Sequence, residues 1–335
     1  MLIRLIVIVA AVVLRATFAN AEITPDSLSK LKAKAEHGDV ETCRLLAKMY
    51  FAEGGDVPQD QAEAVKWYEK AALQGDSVSQ NILGTLYSLG LFVPQDFKQA
   101  AGWYRKAAEQ GHAGAQCTLG GMYGRGEGVP QDLEEAAKWF SMSAENGNSE
   151  AQRQLGKMYY FGVGVKKDHR ESAKWYCRAA QQNDAEAEYS LGVLYFSGEG
   201  LSQNYNEAMK WYLAAAAQGH AGAKRRIGGM YYHGDGVPKN FSRALDWISK
   251  SANQKDSAAM CVLGIMYEHG EGVPQDFVYA HMWYNLAASL GLEAAVTQRD
   301  DIADRMTPEQ IARAQAMASA WKPTLPEDQE MHEGK

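Results

Sequence analysis

The sequence predicts an all-α fold, a solenoid in which helix-turn-helix repeats stack in a row. Seven tryptophans stand 36 residues apart, and six glycines, each with a tyrosine three residues later, keep the same interval. A strict period of this length is typical of arrays in which each repeat buries its apolar face against its neighbours. The tryptophans are Trp67, Trp103, Trp139, Trp175, Trp211, Trp247 and Trp283, and the glycines are Gly84, Gly120, Gly156, Gly192, Gly228 and Gly264.

The spacing of apolar residues predicts the two helices of each repeat. In the fourth repeat, Ala151, Leu155 and Met158 fall on one face of the first helix. A glycine near the middle of that helix costs about 1 kcal/mol relative to alanine, so its recurrence indicates that a neighbouring backbone approaches closely there. The second helix carries the tryptophan on its apolar face, and we expect this residue in the core between stacked repeats.

The turn between the helices is equally regular. Paired glycines such as Gly126 and Gly128 end the first helix by accepting positive φ, and Pro130 prevents its continuation. An Asp or Asn two residues later is predicted to cap the second helix, and five of these have Glu or Gln at the capping-box spacing. We therefore interpret this column of polar residues as helix caps rather than as catalytic acids. The caps are Asp60, Asp96, Asp132, Asp168, Asn204, Asn240 and Asp276, and the capping-box partners are Glu63, Gln99, Glu135, Glu171 and Glu207.

Residues 151–184, with a GVG turn before the tryptophan, resemble one unit of the Sel-1-like repeat (SLR) family within the tetratricopeptide-like helical repeat superfamily. Seven such units cover residues 41–293, and the 36-residue period favours this family over the 34-residue tetratricopeptide repeat. The resemblance implies a right-handed α–α superhelix whose first helices line the concave wall. It also implies an adaptor or scaffold, either an exported bacterial protein or a component of the eukaryotic endoplasmic reticulum.

The two ends of the chain predict export and capping of the array. Residues 1–21 contain an apolar stretch and a small-x-small site, which predict a signal peptide cleaved after Ala21 and a periplasmic or secreted protein. The alternative is a retained N-terminal anchor, but the apolar stretch is shorter than the roughly 20 residues that span a bilayer, so we expect no membrane span after cleavage. We expect an N-terminal capping helix at 22–40, C-terminal capping helices at 294–322 and a disordered tail at 323–335.

Charge and cysteine content limit the partners. The net charge of −7 disfavours nucleic acid and anionic lipid, whose binding depends on clustered Lys and Arg, and favours a protein or a neutral glycan. Cys117 and Cys261 occupy equivalent positions four repeats apart, far beyond the roughly 7 Å between Cα atoms that a disulfide allows. We therefore expect no intrachain disulfide, and we expect a monomer.

The sequence predicts neither an enzyme nor a cofactor or metal site. The pattern SxxK occurs at 27–30 and 319–322, but without the other elements of a penicillin-recognising site. His233 and His269 occupy one position in adjacent turns, which we interpret as repeat-specific turn residues rather than metal ligands. The alternatives to a non-enzymatic scaffold are a weak β-lactam-binding hydrolase of the Sel-1-like type and a eukaryotic endoplasmic-reticulum adaptor.

The variable face of the first helices is the candidate binding site. In each repeat, the residues two before, two after and five after the Leu or Ile lie together, opposite the core. In repeats four to six this face concentrates aromatic residues and arginine, the types enriched at binding hot spots, although such side chains can also simply pack against neighbouring helices. We predict that it binds a protein or peptide partner, in an envelope or virulence pathway. The predicted residues are Arg153, Lys157, Tyr160, Tyr189, Phe196, Arg225 and Tyr232.

Overall fold

The computed structural model describes residues 24–52 and 57–323. These residues form seventeen α-helices and no strand, which confirms the predicted all-α repeat fold. The predicted signal peptide, its cleavage site at Ala21 and the tail beyond residue 323 lie outside the described residues. The helices are α1 (Pro25–Glu36), α2 (Val40–Phe51), α3 (Gln61–Leu73), α4 (Ser77–Leu89), α5 (Phe97–Glu109), α6 (Ala113–Arg125), α7 (Leu133–Glu145), α8 (Ser149–Phe161), α9 (His169–Ala180), α10 (Ala185–Ser197), α11 (Tyr205–Ala217), α12 (Ala221–His233), α13 (Phe241–Ala252), α14 (Ser257–His269), α15 (Phe277–Ser289), α16 (Glu293–Ala303) and α17 (Pro308–Ala320).

The chain divides into two compact units after Asp168. The N-terminal unit contains α1–α8, and the C-terminal unit contains α9–α17. Within each unit the helices of the repeats pack against the next helix along the chain, as α4 does on α5 and α12 on α13, whereas α17 packs on α15. Each unit is therefore a solenoid in which the first and second helices of the repeats alternate.

Six of the seven predicted caps accept a backbone N–H at the start of their second helices, but the predicted capping boxes do not form at Asp60, Asp96, Asp132 or Asn204. Asp132 accepts a hydrogen bond from the Glu135 backbone N–H at 2.9 Å. The Asp132 backbone N–H, however, donates to the Tyr123 carbonyl of the first helix at 3.0 Å, so it has no need of the Glu135 side chain. That side chain instead pairs with Lys138 at 3.0 Å. A capping box does form at α17, after the repeats, where Thr307 and Gln310 exchange both bonds.

The mid-helix glycines make room for a side chain of the second helix. A Cβ on Gly192 would lie 2.6 Å from the Tyr212 ring, and one on Gly264 would lie 2.4 Å from the Tyr284 ring. Neither distance is compatible with van der Waals contact. The sequence predicted a close backbone approach at these glycines, and a carbonyl oxygen of the second helix does lie 3.2 Å from the Cβ position at Gly120 and at Gly228. The nearest atom, however, belongs to an aromatic ring or, in repeat six, to Ile248.

In six of the seven repeats, the residue after the tryptophan is more buried than the tryptophan itself. Tyr176 is 5% exposed, whereas the preceding Trp175 is only half-buried. The Arg178 guanidinium lies 4.6 Å from the Trp175 ring centroid and covers its outer face. Trp67 and Trp139 are buried in the core, as predicted, whereas the tryptophans of the other repeats are only half-buried. The residues that fill the core beside the tryptophans are Tyr68, Tyr104, Phe140, Tyr176, Tyr212, Ile248 and Tyr284.

Candidate functional site

The seven predicted binding residues lie on three first helices. Arg153, Lys157 and Tyr160 are on α8 in the N-terminal unit, while the other four are on α10 and α12 in the C-terminal unit. All are half-buried except Lys157, which is exposed. The predicted face therefore packs more closely against its surroundings than its position opposite the core suggested.

Arg225 ties one repeat to the next. Its Nε donates to Asp256 Oδ2 at 3.1 Å, and the two side chains are 28% and 14% exposed. Asp256 is also the N-cap of α14, where it accepts the Ala259 backbone N–H. The same contact recurs in the N-terminal unit, where Arg44 lies 3.3 Å from the cap residue Asp76. Arg225 thus has a structural partner, which the sequence pattern did not reveal.

Tyr232 is held by the turn of the following repeat. Its hydroxyl donates to the Glu271 carboxylate, and its ring meets the Phe241 ring edge-on at 5.3 Å between centroids. Burial and the hydrogen bond to Glu271 raise the pKa of Tyr232 to about 12. The ring is consequently neutral at physiological pH and fixed in position.

The remaining aromatic residues of the C-terminal unit also have partners. Tyr189 stacks on the His220 ring at 4.5 Å between centroids, and His220 in turn caps α12 by accepting the Ala223 backbone N–H. Phe196 meets the Tyr205 ring edge-on at 5.2 Å. These rings form rigid apolar surface and lose little rotamer freedom when a ligand binds.

A pocket of about 420 Å³ opens on this face between repeats five and seven. It brings together Phe196, Arg225 and Tyr232, whereas Tyr189 does not line it. Gly229 opens the pocket, because a Cβ at this position would meet no atom within 4 Å. In the sequence, this opening is indicated by two consecutive glycines in repeat six, because Gly229 follows the glycine that packs against the second helix. The other lining residues are Arg226, Met230, His233, Asp235, Ile248, Val262 and Ile265.

The pocket has the composition of a binding site for a side chain. Ile248, Val262 and Ile265 supply apolar walls, while Arg226 and His233 bring polar groups to the same pocket. Pockets of this kind bind an apolar group and orient it with a few polar contacts. No cluster of three metal-ligating side chains occurs among the residues that the structure describes.

The SxxK residues do not form a nucleophile–base pair in the segment at 27–30. The Ser27 hydroxyl donates to the Thr24 carbonyl at 2.8 Å, and the Lys30 ammonium pairs with Asp26 at 2.6 Å. At 319–322 the Ser319 hydroxyl donates to the Gln315 carbonyl at 2.9 Å. Both serines thus bond to backbone carbonyls of their own helix ends, which is typical of structural hydroxyls.

The sequence profile of the Sel1 repeat matches seven consecutive segments of the chain. The chain belongs to the Sel1 repeat family. Proteins with these repeats are generally non-catalytic scaffolds that bind other proteins. The matched segments are 40–76, 77–112, 113–148, 149–184, 185–220, 221–256 and 257–292.

Solved structures agree with this assignment. A protective antigen present in uropathogenic Escherichia coli strains, which displays an SLR fold, is 31% identical, with 92% of this chain and 74% of that chain covered and a TM-score of 0.63. A Sel1 repeat protein from Oxalobacter formigenes is 32% identical, with 83% and 80% covered and a TM-score of 0.65. No curated protein matches the sequence. Along the described residues, this Sel1 repeat protein has no helix with the length and apolar character needed to cross a membrane.

Proposed function

We propose that this Sel1 repeat protein is a non-enzymatic, exported scaffold that binds a peptide segment of a protein partner through its first helices. The pocket beside Gly229 carries the proposal, because it collects three of the seven predicted binding residues around one opening. A large apolar side chain of the partner would enter this pocket and contact Ile248. The membership of the Sel1 repeat family, whose solenoids typically bind proteins, supports this class of partner.

The contacts around the pocket favour binding by a rigid site. Arg225 is held by Asp256 and Tyr232 by Glu271, so neither side chain must be ordered when the partner arrives. Sites that are organised before binding avoid the loss of conformational entropy that otherwise weakens affinity. The Arg225 guanidinium keeps further N–H donors beyond the one that bonds to Asp256, and these can meet a partner's carbonyl or carboxylate oxygens.

A pocket-filling variant tests the site without disturbing these contacts. Gly229→Leu places a side chain in the opening, and replacing a helical glycine favours folding. Gly102→Leu is the matched control, because Gly102 is exposed on α5 and a Cβ there also meets no atom within 4 Å. Arg225→Ala is a poorer test because it also removes the contact with Asp256.

The assay is selection of a displayed random-peptide library on the wild-type protein, with counter-selection on Gly229→Leu. We expect enriched peptides that share a large apolar residue, bind Gly102→Leu with unchanged affinity and bind Gly229→Leu at least about tenfold more weakly. The proposed site is contradicted if no peptide is enriched on the wild type relative to Gly229→Leu. It is also contradicted if the enriched peptides bind Gly229→Leu and Gly102→Leu equally well.

We further propose a periplasmic or secreted location and a role in an envelope or virulence pathway. The apolar segment before Ala21 and the resemblance to a protective antigen of uropathogenic E. coli support export, since protective antibodies must reach their antigen. The mature protein from a cell-envelope fraction should begin at Glu22 on N-terminal sequencing. A full-length chain found only in the cytoplasm would contradict export but would not contradict the proposed binding site.

A further inference from the structure

The N-terminal unit contains a second pocket at the same place in its own repeats. This pocket, of about 260 Å³, lies between repeats three and four and includes Gly121 and Gly124. Repeat three has a glycine pair, Gly120 and Gly121, like the pair in repeat six. A Cβ on Gly124 would meet no atom within 4 Å, so absent side chains open this pocket as well.

Exposed apolar side chains are grouped at the mouth of this pocket. Phe140 and Met158 line its interior, and both are less than 10% exposed. Around them Leu133 is 40% exposed, Phe161 61% and Val163 39%. Exposed apolar residues that are grouped in this way mark interaction sites, whereas isolated ones are common on any surface.

Repeat four departs from its neighbours at these positions. The residue between the turn glycines is acidic in repeats three, five, six and seven, but it is Val163 in repeat four. The position of Phe161 is occupied by Arg125 in repeat three and by His233 in repeat six. Burial in the core does not account for either change, because both side chains are exposed.

Unpaired lysines accompany the apolar mouth. Lys157 lines the pocket, and Lys166 and Lys167 replace the Pro-Gln pair that most of the turns have at this place. All three are exposed, and none has an ion pair or a hydrogen bond with another described residue. Gly162 stands between Phe161 and Val163 in the sequence. Lys167 lies directly beside Gly162, because the Lys167 Cβ is 3.0 Å from the position that a Cβ on Gly162 would occupy.

Two acidic side chains of repeats three and four have cationic partners of their own. Glu127 bonds to Arg125 at 2.8 Å, and Glu150 pairs with Arg153. Lys157 at this apolar pocket, and Lys166 and Lys167 in the turn that carries Val163, keep their positive charges without a described ionic partner, on a chain whose net charge is −7. The pocket beside Gly229 differs in this respect, because Arg225 and Tyr232 are bonded to carboxylates there.

We propose that the pocket of repeats three and four is a docking site for an acidic peptide segment of a protein partner, with one large apolar side chain inserted beside Phe140. Carboxylates of the same segment pair with Lys157, Lys166 and Lys167. The concave shape favours a peptide over an anionic membrane, because a lipid surface has no need of a pocket that admits one side chain. This site lies outside the pocket beside Gly229 and does not depend on the function proposed for that pocket.

The probe is a fluorescein-labelled peptide of nine residues with one central Trp flanked by Asp and Glu, titrated into the full chain and followed by fluorescence polarisation. Control peptides replace the Trp by Ala or the acidic residues by Lys. The pocket-filling variant is Gly124→Leu, and the charge variant is Lys157→Gln with Lys166→Gln and Lys167→Gln. Gly102→Leu is the matched protein control, and circular dichroism confirms that each variant is folded.

We expect the acidic Trp peptide to bind the wild type and Gly102→Leu alike, and to bind Gly124→Leu and the charge variant at least about tenfold more weakly. Its affinity should also fall with added salt, and each control peptide should bind at least about tenfold more weakly. Equal binding by Gly124→Leu and Gly102→Leu, or by the acidic and basic peptides, overturns the proposal. No binding by the wild type overturns it too. If vesicles of phosphatidylglycerol bind through the three lysines while the peptide does not, the site recognises a lipid surface instead.

Discussion

Replacing two glycines of adjacent first helices by alanine separates close packing from helix propensity. Gly264 and Gly229 both lie inside helices, α14 and α12, of the C-terminal unit. Alanine gains about 1 kcal/mol over glycine in a helix interior, and this gain applies to both sites. The two positions differ in surroundings, because a Cβ on Gly264 would lie 2.4 Å from the Tyr284 ring, whereas one on Gly229 would meet no atom within 4 Å.

The Tyr284 ring cannot move away cheaply. It is fully buried, and its hydroxyl donates to Glu268 at 2.9 Å. Overpacking of a fixed core side chain costs about 1–3 kcal/mol. We therefore expect Gly229→Ala to be about 1 kcal/mol more stable than the wild type, and Gly264→Ala to be about 1–3 kcal/mol less stable than Gly229→Ala.

The measurement is urea unfolding followed by circular dichroism, with the free energies of unfolding compared between the two variants. Repeat arrays can unfold in more than one step, so both substitutions are placed in the same compact unit and single transitions must be verified by a second probe. If Gly264→Ala and Gly229→Ala have equal free energies of unfolding, the glycines of the first helices do not serve to admit the aromatic ring.

Three further predictions concern stability. Tyr176→Ala should cost about 3–5 kcal/mol and Trp175→Ala clearly less, because Tyr176 is 5% exposed and Trp175 is half-buried; a larger loss of thermal stability for Trp175→Ala would contradict this order. Burial lowers the pKa of His281, so the stability that the neutral side chain contributes should be present above pH about 6.5, the ordinary histidine pKa, and be lost as the pH falls below it. In His281→Gln the melting temperature should therefore depend less on pH between pH 7 and 5. An unchanged pH dependence of the melting temperature would contradict the reasoning. Arg225→Ala should cost about 1 kcal/mol through loss of the bond to Asp256, and denaturant unfolding that shows no loss relative to the wild type would exclude a stabilising role.

The period of the sequence was sufficient to predict the fold, the helix pairs and their caps. The residue that fills each core could not be predicted, because the tryptophan and the residue after it recur with the same period. Two adjacent helical positions differ by only about 100° around the axis, and the sequence does not show which of them the next helix covers. Trp175 and Tyr176 illustrate this ambiguity, which only the packed structure resolves.

The candidate site was predictable in position but not in its contacts. The face of the first helices was identified from spacing alone, and three of its residues meet at one pocket. The bond between Arg225 and Asp256 joins residues 31 positions apart, and it depends on how one repeat stacks on the next. The sequence also does not show what occupies the space beside a glycine. A glycine that allows a neighbouring side chain to approach and a glycine that leaves an open pocket look the same in the sequence.

Repeat six contains both kinds of glycine side by side, which shows how a solenoid can vary a binding site without altering its fold. A Cβ on Gly228 would lie 2.4 Å from Ile248 Cγ1, while one on the next residue, Gly229, would meet nothing within 4 Å. The first glycine therefore lets the second helix approach, and the second leaves a pocket whose interior is formed by that same Ile248. Substitution at the first position changes the packing of the repeat, whereas substitution at the second changes the volume open to a ligand without disturbing that packing. Because each repeat has its own copy of the second position, pockets can be opened or closed one repeat at a time while the stacked core is retained.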